Sequence, residues 1–230
     1  MRIRTLASRK VCLPLVSALA IGALLAGCSG ETEPPAMPFQ TVAMPAETAP
    51  TATPGQHLAT GEIALLAQTD FKGVAGDPIE TTVIGVAQGT AGYWDTFENG
   101  AEFKNETPFF AVVQYRWVTG DVSAYSTPTL RPLLEDGSEG GSVEREYFGS
   151  MTANTACPFD IGRFDLEKDR GPNEYIACVL YTAPIGSTVV GLAWYNVSDM
   201  IFSEPDPEVN PFYADPVVWD VTPIQPKNTN

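Results

Sequence analysis

Side chains that could carry out acid–base or nucleophilic catalysis are scarce in this sequence. The chain contains a single histidine, His57, which lies beside a proline-rich stretch rather than within an apolar pattern. Serine and cysteine nucleophiles usually depend on a histidine base held inside the fold. The sequence also lacks a Gly-x-Ser-x-Gly turn and a glycine-rich phosphate loop that ends in Gly-Lys-Ser or Gly-Lys-Thr. We therefore predict that the protein is not an enzyme and has no cofactor.

The residue with the clearest chemistry is Cys28, which closes a Leu-Ala-Gly-Cys motif at the end of an apolar run over residues 11–26. The small residues leave room for a peptidase, and the cysteine thiol can take up a diacylglycerol as a thioether. Basic residues precede the run, which is shorter than the roughly 20 residues of a membrane span. Residues 1–27 are therefore predicted to be a lipoprotein signal peptide, with Cys28 as the lipidated N-terminus. The alternative is an ordinary signal peptide with an incidental cysteine.

The charge of the chain limits its partners. The net charge is −15, and the leader contains basic residues but no acidic ones, so its removal makes the chain more acidic still. Such a surface repels nucleic acids and anionic lipid headgroups. The sequence thus predicts no nucleic-acid binding. Attachment to the outer face of the cell membrane is expected through acyl chains such as palmitate, because two chains hold a protein stably.

Two cysteines, Cys157 and Cys178, remain once Cys12 leaves with the leader and Cys28 is acylated. In an exported protein a lone pair of cysteines is expected to form a disulfide bond. A metal site is poorly supported, because two thiolates without a nearby histidine do not make a tetrahedral set. We predict a disulfide and no metal.

Two acidic stretches are weak candidates for calcium. Counted from Asp165, the sixth and twelfth positions are Arg170 and Ile176, where a calcium loop needs glycine and glutamate. A second stretch alternates acids with prolines over residues 204–208, which holds the carboxylates apart. Solvated acidic loops are the favoured interpretation of both.

Loop aromatics are the candidate ligand-binding residues. They lie in two predicted loops and comprise Tyr93, Trp94, Phe97, Phe212 and Tyr213. Exposed aromatic rings commonly bind sugars and partner proteins. The competing interpretation, that these rings fold back to close the end of the domain, is the favoured one.

The elements that position these residues begin after a proline- and threonine-rich segment. Residues 28–57 show no apolar periodicity and are predicted to be a disordered tether. Residues 58–225 form the predicted domain, and residues 226–230 a disordered tail. The apolar group at residues 63–67 is too short to assign to helix or strand.

The domain is predicted to be all-β. Apolar and polar residues alternate over residues 79–88, and Ala111, Val113, Tyr115 and Trp117 form one apolar face of a predicted strand. Strands are predicted over residues 79–88, 109–118, 129–134, 143–148, 175–182, 188–195 and 217–221. Short strands with turn signals between them, and no long helical pattern, favour an antiparallel immunoglobulin-like β-sandwich. The excess length is assigned to long loops at residues 93–106, 156–173 and 203–215.

Several stretches resemble a known family. These are Thr-Pro-Phe-Phe-Ala-Val-Val from Thr107, Leu-Leu-Glu-Asp-Gly from Leu133, Ala-Cys-Pro from Ala156, Cys-Val-Leu-Tyr-Thr-Ala-Pro-Ile-Gly from Cys178 and Val-Val-Trp from Val217. Together they resemble uncharacterised immunoglobulin-like lipoproteins of actinobacteria over about residues 79–221. The resemblance implies a β-sandwich, a disulfide between Cys157 and Cys178, and export to the envelope. It implies no activity, and the acidic segment at 203–215 is longer than in the family pattern.

Three hypotheses follow. The first is a non-enzymatic, lipid-anchored envelope protein that binds or scaffolds another protein through its loops. The second is an accessory protein that binds a small ligand or cell-wall carbohydrate through the loops of Trp94 and Tyr213. The third, an enzyme with two carboxyl groups facing across a cleft, is the least favoured, because a small sandwich seldom provides such a cleft.

Overall fold

The fold consists of two β-sheets, as the alternating apolar and polar residues of the predicted strands indicate. The computed structural model describes residues 38–67, 75–97, 100–119, 127–143, 157, 173–197, 206 and 208–225. These residues form nine strands in a sheet of five and a sheet of four. The expectation of an all-β fold in two layers is therefore confirmed.

The five-stranded sheet is built on the two longest predicted strands. Its order is β2-β3-β4-β7-β6, and every pair in it is antiparallel. The strands are β2 (Ala64–Leu66), β3 (Ile79–Gln88), β4 (Glu106–Trp117), β6 (Gly141–Ser142) and β7 (Glu174–Pro184). The predicted bounds of β3 match, whereas β4 and β7 extend beyond theirs. Residues 144–148 of the strand predicted at 143–148 lie outside the described residues.

The four-stranded sheet contains the beginning and the end of the described domain. Its order is β1-β9-β8-β5, and β1 pairs with β9 in parallel. The strands are β1 (His57–Ala59), β5 (Arg131–Leu134), β8 (Val189–Trp194) and β9 (Val217–Asp220). The apolar group left open at residues 63–67 is a strand, β2, because it pairs with the first residues of β3.

The core lies between the two sheets. The predicted apolar face of β4 is buried: Ala111, Val113, Tyr115 and Trp117 all belong to the central cluster. From the four-stranded sheet, Leu192 and Trp219 fill the opposite side at 0% exposure. The other face of β4 is also covered, since Gln114 is only 3% exposed. Period-two alternation alone would have placed Gln114 in water.

Part of the predicted tether is packed instead of disordered. Residues 38–56 lie along the sandwich, with Ala49 and Ala52 buried, and His57 is the first residue of β1. Side chains of the sheet bind the main chain of this segment. The segment therefore needs no periodic pattern of apolar side chains to pack. The described fold therefore begins at residue 38 rather than 58, while residues 28–37 and 226–230 lie outside the described part.

Short helices occupy two of the predicted long loops. The loop at residues 93–106 contains two 3-10 helices, η1 (Ala91–Thr96) and η2 (Gly100–Phe103). The acidic segment contains one helical turn, α1 (Pro211–Ala214), which has proline in its first turn. Of the loop at 156–173, the structure describes Cys157 and Asn173. Among the described residues no helix has the length and apolar character required to cross a membrane.

Candidate functional surfaces

The aromatic residues of η1 are packed into a satellite core. Trp94 is 3% exposed, stacks on Phe103 at 4.8 Å and donates a hydrogen bond from Nε1 to the carbonyl oxygen of Glu106 at 2.8 Å. Tyr93 contacts Phe97 and Phe110 with ring centroids 5.0 and 4.9 Å apart. Burial raises the pKa of Tyr93. The structure thus has these rings folded back onto the sheet, as the competing interpretation described.

The predicted disulfide belongs to the same cluster. Cys157 and Cys178 are bonded, with their Cα atoms 5.8 Å apart, and Cys178 lies on β7 beneath the aromatic rings. This confirms the disulfide. The bond fastens Cys157 to the middle of β7, the strand next to the edge strand β6 of the five-stranded sheet.

The two aromatic residues of α1 point in different directions. Phe212 packs on Trp194 with ring centroids 4.7 Å apart and belongs to the edge of the central core. It closes one end of the sandwich beside a cavity of about 250 Å³ that is also lined by Leu65 and Asn196. Tyr213 instead lies 6.4 Å from Tyr195, at the end of β8. Phe212 is therefore a core plug, and Tyr213 contributes to a surface.

That surface, which we call the tyrosine patch, comprises Tyr195, Tyr213, Arg131 and Glu139. The guanidinium of Arg131 lies 5.7 Å from the centre of the Tyr195 ring, and its Nη1 is 3.2 Å from Glu139 Oε2. Both tyrosines are half-buried. Partial burial, followed by the carboxylate of Glu139, raises the pKa of Tyr195 to about 12. The patch thus brings two half-buried tyrosine rings together with a pair of opposite charges.

The acidic segment is tied to this patch. The side-chain amide of Asn210 donates to the carbonyl oxygens of Tyr195 and Asn196, at 2.9 and 3.1 Å. Asp206 accepts the N–H of Glu208 at 2.9 Å, so its carboxylate closes a local turn. Residues 203–205 and the acidic stretch at 165–169 lie outside the described residues. Within the described ranges, no three histidine, cysteine or acidic residues converge as metal ligands would.

His57 faces solvent instead of a pocket. Its Nδ1 lies 3.1 Å from Asp220 Oδ1, and the two side chains are 63% and 61% exposed. An exposed ion pair of this kind contributes little to stability. The nearby hydroxyl of Thr60 donates to the carbonyl oxygen of Asp220 at 3.1 Å.

Sequence patterns indicated Tyr213 but not the other residues of the tyrosine patch. Arg131 and Tyr195 come from different strands, and only the pairing of β5 with β8 brings them together. Period-two alternation places Gln114 and Arg116 opposite the apolar face of β4, and together with Glu80 they bind the segment before β1. Comparison with known proteins adds no assignment: no family model, curated protein or solved structure matches this chain significantly.

Proposed function

We propose that the protein is a lipid-anchored, extracytoplasmic envelope protein without enzymatic activity, which binds or scaffolds another protein. The leader and Cys28 support export and lipid attachment. The disulfide between Cys157 and Cys178 fits an oxidising compartment. The two facing sheets fit an immunoglobulin-like sandwich of the actinobacterial lipoprotein type, although a sandwich by itself implies no particular activity.

The observation that carries the binding proposal is the tyrosine patch. Tyrosine and arginine dominate the binding energy of protein interfaces, because they bring large rigid surfaces and several hydrogen bonds at low entropic cost. Tyr195 and Tyr213 are held by the end of β8 and by α1, so their rings are already positioned. By contrast, Trp94 is enclosed by its neighbours and is not available to a partner without local opening. We therefore assign binding to the patch and not to η1.

A carbohydrate of the cell wall is the second candidate for the same patch. Sugar rings stack on aromatic faces, and their hydroxyl groups pair with charged side chains such as Arg131 and Glu139. This candidate uses Tyr213 as the sequence suggested, but without Trp94. The two candidates share the tyrosine patch and differ in whether the bound molecule is a protein or a carbohydrate.

Photo-crosslinking in intact cells tests both candidates. A benzophenone amino acid is placed at Tyr213 and, as the control, at the exposed Glu102 on η2. The proposal predicts a discrete protein adduct from position 213 that is absent from position 102 and weakened by Arg131→Ala. If digestion with a cell-wall glycan hydrolase reduces the adduct to the size of the free protein, the result favours the carbohydrate. Identical products from both positions would remove the patch as the binding surface.

A further inference from the structure

The outer face of the five-stranded sheet carries polar side chains that are nonetheless buried. Glu80 and Thr82 on β3 are 0% exposed, and Gln114 on β4 is 3% exposed. The residues that cover them are 38–52, which we call the strap. A permanently covered face is usually more stable when it is built from apolar side chains than from an ion pair. The polar composition of this face is therefore better suited to a surface that is exposed to water part of the time.

The sheet holds the strap mainly through the strap's main chain. The Gln114 amide makes two bonds with Val42, accepting from its N–H at 3.1 Å and donating to its carbonyl at 3.0 Å. Glu80 accepts the N–H of Ala49 at 2.6 Å, and Arg116 donates to the carbonyl of Pro45 at 2.6 Å. Arg116 also pairs with Glu80. Because these contacts are made to main-chain atoms, they can hold an extended segment with almost any side chains.

One apolar contact fixes the far end of the strap. The ring of Phe39 lies on Gly85 of β3, where a Cβ atom would come within 2.3 Å of it. Phe39 packs there against Ile84, Val112 and Ile176. At the other end, Thr51 pairs with Leu65 of β2. This pairing uses two main-chain bonds, from the Ala52 N–H to the Leu65 carbonyl at 3.0 Å and from the Leu65 N–H to the Pro50 carbonyl at 3.2 Å, and the rest of the strap adds no strand to the sheet.

The face beneath the strap would be soluble if the strap left it. Released Glu80, Gln114 and Arg116 would be hydrated as ordinary polar surface. The hydroxyl of Thr82, which is buried without a hydrogen-bond partner among the described residues, would gain water. Release also uncovers the apolar cluster around Phe39 and withdraws Ala49 and Ala52 from buried positions, so the docked state is the more stable of the two.

We propose that the strap is a docked portion of the membrane tether, and that its docking and release give the protein two tether lengths. This inference rests on the proposed lipid attachment at Cys28. With the strap docked, the ten residues from Cys28 to position 38 span at most about 35 Å. With the strap released, the span from Cys28 to position 52 reaches at most about 85 Å. The docked strap thus keeps the sandwich close to the membrane, and its release lets the tyrosine patch reach a more distant partner.

Strap-side variants test this without altering the sheet. Val42→Pro and Ala49→Pro together remove the two N–H donors to Gln114 and Glu80, while Glu47→Pro places the same residue at an exposed strap position as the control. Hydrogen exchange on the detergent-extracted, full-length gene product measures docking. In the wild type we expect strap amides to be protected but to exchange faster than those of β4. In the double variant we expect strap protection to be lost while β4 stays protected.

Reach is measured in liposomes that contain a dansyl lipid, with the four tryptophans as energy donors. We expect the double variant to show less than half of the wild-type energy transfer, and Glu47→Pro to match the wild type. Unchanged transfer, strap amides that exchange no faster than β4, or loss of protection throughout the sandwich would each overturn the proposal. Failure of the wild type to float with the liposomes would instead refute lipid attachment, and hydrogen exchange would still decide whether the strap docks.

Discussion

At the scale of single residues, the buried pair of Glu80 and Arg116 is the most consequential interaction in the described structure. Glu80 is fully enclosed, whereas the Arg116 side chain keeps 20% of its surface exposed. Charges removed from water need partners for all their bonds, and Glu80 has them in Arg116 and the N–H of Ala49. The pair therefore couples the stability of the sheet to the position of the strap.

Replacing one member of this pair is expected to destabilise the protein. Glu80→Gln keeps the shape but leaves Arg116 without its counter-charge, which costs about 3 kcal/mol of unfolding free energy. Urea titration followed by tryptophan fluorescence measures the change. Glu139→Gln breaks the half-exposed pair with Arg131 and should cost less than about 1 kcal/mol. Equal losses in the two variants would show that the enclosed pair has no special role.

Tyr195 gives the protein a sensitivity to alkaline pH. Its pKa is raised to about 12 in the folded state, by burial first and then by Glu139, whereas an unfolded tyrosine ionises near 10. Stability from the neutral phenol is thus fully present below pH 10 and is lost as the pH rises towards 12. Urea midpoints measured from pH 8 to pH 12 should fall more steeply in the wild type than in Tyr195→Phe. Parallel curves would contradict the assignment.

At the scale of elements, the disulfide joins Cys157 to β7 of the five-stranded sheet. Closing a loop with a sequence separation of 21 residues stabilises the fold by about 3 kcal/mol in the chain-entropy model. Reduction should lower the melting temperature by several degrees, and the variant that carries both Cys157→Ala and Cys178→Ala should melt at the reduced value with or without reductant. A thiol label that reacts with Cys157 in the unreduced protein would show that the bond does not form.

Gly100 is the first residue of η2 and lies so close to the backbone of η1 that no Cβ atom fits there. A Cβ atom there would lie 1.7 Å from the carbonyl oxygen of Trp94, so Gly100→Ala must displace the helix backbone. We expect a loss of stability of about 2 kcal/mol and faster hydrogen exchange in η1 and η2, with β3 unaffected. Gly137→Ala is the comparison for space, since nothing lies within 4 Å of its added Cβ. Because Gly137 has a positive φ, its replacement strains the backbone without a steric contact, and we expect hydrogen exchange in η1 and η2 to stay as in the wild type.

The longer strands were predictable from the sequence because their signal is local, whereas the short strands β1, β2 and β6 were not predicted. β3 has the bounds that alternation and flanking turns indicate, since side chains of one face meet the core every second residue. The strap was missed because Pro45 and Ala49 are held by main-chain bonds, which leave no pattern of residue types. The tyrosine patch was missed in part because Arg131 and Tyr213 are distant in sequence and meet through sheet pairing and α1. Composition indicates which segments can be strands, but not which polar side chains they will enclose.

At the scale of the whole molecule, the two outer faces of the sandwich are covered differently. The five-stranded sheet is covered by the strap and by the aromatic cluster of η1, both of which belong to the chain itself. The four-stranded sheet leads at its β5–β8 edge to the half-exposed tyrosine patch. Under the proposed function, the first face connects the domain to its anchor and the second offers it to a partner. The acidic charge of the chain keeps the domain itself away from anionic lipids.

The central claim, that the chain is exported, oxidised and held by lipid at Cys28, is tested most directly by intact-mass spectrometry of the gene product extracted from membranes. The account predicts a chain that begins at Cys28, carries a diacylglyceryl group and lacks the two hydrogens lost when Cys157 and Cys178 join. Cys28→Ala should abolish this product. A species that retains residues 1–27, bears no lipid and has free thiols would contradict the account.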